Sequence, residues 1–436
     1  MQNPTDTNFT IYGTALEEKT VVTALQACVQ HRTFADSDSS VFRAFHKTLS
    51  ELFPQVFSLA KIQVIKESAL LLCLQGAQTE RPLLFLSHLD VVPARFLDQW
   101  KHPPFLGIKE DGYVYGRGTL DMKGHLCALL TAANSLLQEG WRPKGDIYFA
   151  FSADEETRGN TMKMLCDLLR SKGVSPAFVL DEGGFVTPYT KHHKAPAALI
   201  GVGEKGHIRF DLSASQDIGA ERLLHAGRKL SKLRFKPRFT QEVQNTLHLL
   251  SSTSSGRFAW LSKRMHNPYY KNWLLKMMAR SKADASSVCS QISLQKLMGD
   301  ALYYEMPKLV YYVSLLHGDN AEAFIQKIKK LLKRNKVTIT METVEEPSLI
   351  SPSNGPAWDA LTTAIQVHFP HVPIVPYLLS GGTDARHMEK ICTHVYRFSP
   401  FVVTSEELAC IHHPNERISV ENLVRGVQFF KQMLQA

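Results

Sequence analysis

The segment "PLLFLSHLDVVPA" at 82–94 runs an apolar strand pattern, Leu83 to Leu86, directly into His88 and Asp90. Strand alternation puts residues two apart on one face. His88 can then ligate a metal while Asp90 holds or orients its ring from the second layer of contacts. Two further strand-like runs end in acids: "DIYFAFSADEE" on Glu155 and Glu156, and "AFVLDEGG" on Asp181. Asp121 stands in the glycine-rich "EDGYVYGRGTLDMKG". One such ending is ordinary for a strand meeting solvent; three in succession imply a shared site. Carboxylates gathered at one edge repel each other unless cations neutralise them. Carboxylates and neutral imidazoles are zinc's usual ligands outside thiolate sites. A two-metal centre of this kind polarises a carbonyl and generates hydroxide near neutral pH.

The elements that must position these residues alternate. Residues 15–31 and 41–53 carry apolar positions at helical spacing, and Pro54 stops the second run. Residues 62–74 and 83–87 read as strands, 126–138 as an apolar helix and 162–171 as another helix. Strand–helix alternation argues for an α/β domain with a mostly parallel sheet, and ligands of such sheets lie beyond the carboxyl ends of the strands. From about 203 the character changes to a strand, a basic helix, a polar stretch and mixed helices and strands. The expected organisation is a catalytic domain in two parts, 1–202 and 345–436, with an inserted α+β domain at 203–344.

The bulk numbers are compatible with this. The chain has 436 residues, 44% hydrophobic and 21% charged, ample for a large core. Its seven cysteines are scattered without a C-x-x-C pair, so free thiols fit better than a disulfide framework or a cysteine zinc site. The beginning "MQNPTDTNFTIYGT" has neither a basic start nor an apolar stretch, and no run reaches the roughly 18 apolar residues of a membrane span. The expectation is a cytoplasmic protein. The net charge is +9, with basic excess around "RKLSKLRFKPR". That run reads as a solvated helix face or as a surface for an acidic partner. No zinc-finger or RNP motif is present, so no nucleic-acid partner is expected.

In order along the chain, "SHLDVVP", "GRGTLDMKG", "SADEE", "LDEGG", "GEKG", "SGGTDAR" and "IHHPNERIS" resemble the co-catalytic zinc peptidase/acylase family. That family includes carboxypeptidase S, aminoacylases, glutamate carboxypeptidase, succinyl-diaminopimelate desuccinylase and carnosinases. The carboxypeptidase S and N-acyl-amino-acid hydrolase branch is the most similar, through "WKHPPFLGIKEDGYVYGRGTLDMKG" and "FRAFHKTLSELFP". The resemblance implies two zinc ions, with cobalt or manganese as substitutes. His88, Asp121, Glu156, Asp181 and His412 would be ligands, Asp121 bridging both. Glu155 would be the general base toward zinc-activated hydroxide, and Asp90 would support His88. His412 rather than His413 is implied because it precedes Asn415 by three residues. Arg386, with Gly381 and Gly382, would contact substrate, a small peptide or N-acyl amino acid cleaved at an amide next to a free carboxylate.

The inserted domain departs from the family pattern. The family's G-H-x-x-x-P segment is missing from "FDLSASQDIGAERLLHAGRKL"; His225 and His207 are the candidates to replace its histidine. Tyr304 stands where the family has an Asn, and Ser314 where it has a carboxylate-gripping Arg. These losses leave a second reading, a metal-retaining binding or regulatory module or an enzyme for a specialised substrate. The family uses this domain as a lid and dimerises through it, so the oligomeric expectation is monomer or homodimer.

Overall fold

The structure is a computed structural model that describes residues 13–188, 196–214, 219–251, 256–281, 284–298 and 307–436. The strands are β1 (Lys61–Ile65), β2 (Ala69–Leu74), β3 (Gln78–His88), β4 (Ile108–Glu110), β5 (Tyr113–Tyr115), β6 (Gly145–Ser152), β7 (Phe178–Asp181), β8 (Val186–Thr187) and β9 (Ala197–Glu204). They continue with β10 (Gly206–Ser213), β11 (Gln291–Met298), β12 (Lys308–Leu315), β13 (Thr338–Glu345), β14 (Ile374–Leu379), β15 (Val395–Arg397) and β16 (Arg417–Ser419). The large sheet has the order β1-β2-β6-β3-β7-β15-β9-β14, with β8 paired to β9. Its centre, β6-β3-β7-β15, is parallel; β1, β2 and β9 join antiparallel. The fold is α/β with this parallel centre.

Continuous apolar runs make the central strands. Leu84, Phe85 and Leu86 of β3 are buried, as are Val179 and Leu180 of β7. Strands covered on both faces need no polar alternation. Phe85 meets Phe149, Phe178 and, from the helix Val420–Gln435, Phe430. That helix packs with Ala15–Val29 and with Lys123–Gln138, whose residues are almost all buried. The 62–74 region, expected as one strand, is a hairpin. Lys66 and Glu67 take positive φ and turn the chain between β1 and β2.

Register fixes what the sheet presents. His88 pairs with Ser152, and Asp181 with Arg397, so β3, β6, β7 and β15 end at one edge.

Two compact units are present. The first comprises the described residues up to Val202, Ser351–Val375 and Thr383–Ala436; the second comprises Gly203–Ile350 and Pro376–Gly382. The second unit has an antiparallel sheet, β11-β12-β10-β13. Phe210, Leu212, Tyr311 and Val313 of this sheet share a core with Leu223 and Leu230 of helix Gly219–Ser231 and with Phe324 and Ile328 of helix Ala321–Leu332. A second small core joins Leu247, Leu261, Leu274, Met278 and Val288. Among the described residues, no helix is long and apolar enough to cross a membrane.

Candidate metal and catalytic site

Two groups of potential ligands meet at the strand edge of the first unit. His88, Asp121 and Glu182 form one; Asp121, Glu156 and His412 form the other, each with ligand atoms within 4.8 Å of one another. His88 ends β3 buried, with Nδ1 2.9 Å from the Asp90 carbonyl oxygen. Donation there leaves Nε2 facing Asp121 Oδ1 at 3.0 Å and Glu182 Oε1 at 3.4 Å. His412 Nε2 lies 2.9 Å from Asp121 Oδ2 and 3.0 Å from Glu156 Oε2. Asp121 is therefore common to both groups.

The electrostatics require a cation or a proton between these atoms. Burial pulls the His88 pKa down, but Glu182, Asp121 and Asp90 outweigh it and hold it well above the ordinary imidazole value. Hydrogen bonds to Asp121 and Glu156 push His412 up to about 10. Burial raises the carboxyl of Asp121, yet both histidines hold it far below its usual range. Burial and then repulsion from Asp121 push Glu182 up to about 8 and raise Glu156 as well. Burial likewise raises Glu155 well above its ordinary value. Four carboxylates and two imidazoles in one recess repel each other as a set unless positive charge joins them. The donor set fits two divalent cations sharing Asp121.

Buried clamps place the groups. Asp90 is fully buried, and its Oδ1 and Oδ2 accept from the backbone amides of Glu155 at 3.1 Å and Glu156 at 3.0 Å. Asp90 thus holds the Glu155–Thr157 turn through its carboxylate and the His88 ring through its carbonyl oxygen. Glu416 pairs with buried Arg117 and accepts from the amides of Leu120 at 3.0 Å and Asp121 at 3.1 Å. Gly118 takes φ +83°, and a Cβ there would lie 2.6 Å from Val91 Cγ1. His412 itself sits at φ 61°, uncommon for a non-glycine residue and frequent at constrained functional positions.

Residues 84–436 match the family described as peptidase family M20/M25/M40. The chain belongs to this family. It is 27% identical over 411 residues to a probable carboxypeptidase S-like 2 of Dictyostelium discoideum, covering 90% of this chain and 79% of that one. It is 29% identical over 420 residues to the human N-fatty-acyl-amino acid synthase/hydrolase PM20D1, covering 92% and 83%. In fold it is similar to the M20 family metallo-carboxypeptidase Sso-CP2 of Sulfolobus solfataricus. The TM-score is 0.70 at 16% identity, over 97% of this chain and 99% of that one.

Within this M20 hydrolase, the acid that the structure brings beside His88 and Asp121 is Glu182, whereas the resemblance implied Asp181. Asp181 ends β7, but its oxygens accept from the amides of Glu182 and Ala385, each at 2.9 Å. The next residue, Glu182, carries the carboxylate into the His88 group. His88, Asp121, Glu156 and His412 come together as expected from their motifs. His413 turns away, with Nδ1 3.1 Å from the Ile411 carbonyl. Arg386 is half-buried on the short helix Ala385–Met388. Gly381 and Gly382 fall in the second unit, where a Cβ on Gly381 would meet nothing within 4 Å. In that unit His207 is buried and stacked on Tyr312, whereas His225 is exposed on its helix. Ser314 lies in β12 opposite His207; Tyr304 lies outside the described residues. Two residues went unassigned from sequence. Glu416 was visible in the His-x-x-Asn-Glu pattern, and Asp384, in "SGGTDAR", is buried and accepts from Ser152.

Proposed function

We propose that this M20 hydrolase cleaves an amide bond next to a free carboxylate, with two zinc ions held by His88, Asp121, Glu156, Glu182 and His412. The observation that carries this reading is the pair of ligand groups sharing Asp121, with the Glu155–Glu156 turn fixed beside them by Asp90. Divalent ions held by these residues would supply Lewis-acid polarisation and a more acidic water, and cobalt or manganese would suit the same ligands. Glu155 takes the proton of the attacking water and passes it to the leaving nitrogen. Its burial raises its basicity toward working pH, as a general base requires. His88, pinned through Nδ1 by the Asp90 carbonyl, presents one nitrogen only.

The substrate class is supported by similarity to a probable carboxypeptidase S-like protein and an N-fatty-acyl-amino acid synthase/hydrolase. Dipeptides and N-acyl amino acids are the candidates, with Arg386 as cation for the carboxylate and Gly381 and Gly382 leaving room for substrate backbone. In a homodimer the inserted unit is the joining surface. The test is hydrolysis of dipeptides, N-acetyl amino acids and longer N-acyl amino acids by zinc-loaded protein. Cleavage that vanishes in Glu155→Ala is expected. Silence across the panel, in protein that still binds two metals, overturns the reading in favour of a binding role.

A further inference from the structure

Beside the ligand groups, within the first unit, is a cavity of about 180 Å³. Asp121 and Glu182 stand among its lining residues, and its apolar walls are Leu120, Phe185, Phe401, Val403, Leu408 and Ile411. We infer that this cavity receives the acyl chain of the substrate and limits it to about six to eight carbons; the inference rests on the hydrolase reading above.

The walls are built to stay in place. The amide of Val186 donates to Phe401 O and the amide of Val403 to Val186 O, both at 2.9 Å, so Phe401 and Val403 are fixed two residues apart along β8. Leu408 rides the helix Ser405–Cys410, whose start is closed by reciprocal bonds between Thr404 and Glu407. It is 43% exposed, which makes it the rim. The Ser399 hydroxyl is hydrogen-bonded to His125 at 3.0 Å, so among the described residues the one hydroxyl of the lining has a protein partner.

Which half of the amide enters follows from charge. Among the described residues no lysine or arginine lines the cavity, and a carboxylate carried into apolar walls loses its hydration without compensation. The amino-acid half bears that carboxylate; the acyl half is neutral. Size follows from volume. An apolar cavity of about 150 Å³ holds the six carbons of benzene, so this one fills at about six to eight carbons, and further methylenes stay in water.

The test measures kcat/KM for N-acyl amino acids from acetyl to hexadecanoyl, and calorimetric binding of octanoate and acetate to zinc-loaded protein. Each methylene buried raises kcat/KM about fourfold, up to hexanoyl or octanoyl, with a plateau beyond. Leu408→Trp moves the plateau to shorter chains and Phe185→Ala to longer ones. Octanoate binds about tenfold or more tighter than acetate, and Leu408→Trp removes the preference. A flat profile, or a rise to hexadecanoyl that neither variant shifts, overturns the assignment. So does hydrolysis combined with equal binding of the two acids. If nothing is cleaved but octanoate is preferred and Leu408→Trp abolishes the preference, the cavity assignment stands and the hydrolase reading fails. With neither cleavage nor preference, both fail.

Discussion

At the strand edge of the first unit, the buried residues are charged and each is tied to particular partners: Asp90 to two amides, Glu416 to Arg117 and two amides, His88 to Asp90. In the second unit the buried residues are mainly apolar and much of the charge lies outside. β13 alternates exposed and half-buried positions along its whole length, and Lys232 and Arg234 are exposed. A buried charge tolerates almost no substitution, because removing its partner leaves it uncompensated. An apolar core tolerates many, provided volume and pattern persist. The contrast accords with where the resemblance to the family's motifs lies: most of those motifs stand in the first unit, while the second, which resembles the family pattern less, forms a coherent sheet-and-helix core.

The sharpest way to break this contrast is at the proposed general base. Glu155→Gln should lower kcat about 10²- to 10⁴-fold while metal analysis still finds two ions per chain; retained turnover would remove Glu155 from the chemistry. Next, Glu416→Gln should cost about 3–5 kcal/mol in denaturant unfolding, because Arg117 stays buried without its partner. A loss under 1 kcal/mol would mean that the clamp is slack. A third comparison separates neighbours. Glu182→Ala should lower metal content, whereas Asp181→Ala should keep it and lose about 1–3 kcal/mol of stability as two amides lose their acceptor. The reverse pattern would restore Asp181 as the ligand. The smallest effect belongs to the second unit's surface. Lys232→Ala should change stability by less than about 0.5 kcal/mol and leave kcat/KM within experimental error. A marked, salt-dependent loss of activity would instead reveal an acidic substrate or partner at the basic segment that follows helix Gly219–Ser231.

Legibility in the sequence follows the same division. His88, Asp121, Glu155, Glu156 and His412 stand in short motifs whose spacing carries the information, and the structure brings all five to one edge. At the end of β7 the resemblance implies Asp181, while the acid grouped with His88 and Asp121 is Glu182. Strand alternation holds through Asp181 and gives no guidance where the chain leaves the sheet, so two adjacent carboxylates could not be told apart. Asp90's grip on the Glu155–Glu156 turn links residues 65 and 66 positions apart, which no local pattern encodes. The insert read as 203–344, yet the second unit runs to Ile350 and takes in Pro376–Gly382. Lys205 N donates to Leu379 O at 3.1 Å and Thr246 Oγ1 to Pro376 O at 2.6 Å, ties that only the folded chain displays. The cavity's apolar walls come from four separated segments, each ordinary core sequence by itself.

The Arg117–Glu416 pair joins residues 299 positions apart. During synthesis the ribosome therefore delivers His88, Asp121, Glu155, Glu156 and Glu182 long before the glutamate that steadies Asp121 and the imidazole of His412. At the usual ~5–20 residues per second, that interval lasts ten seconds or more, during which the nascent chain carries a set of unpaired acids. On the proposed ligand set, the site is complete only once residues 412–416 have left the ribosome and folded back, and a chain truncated before them should retain added divalent metal far more weakly than the full chain.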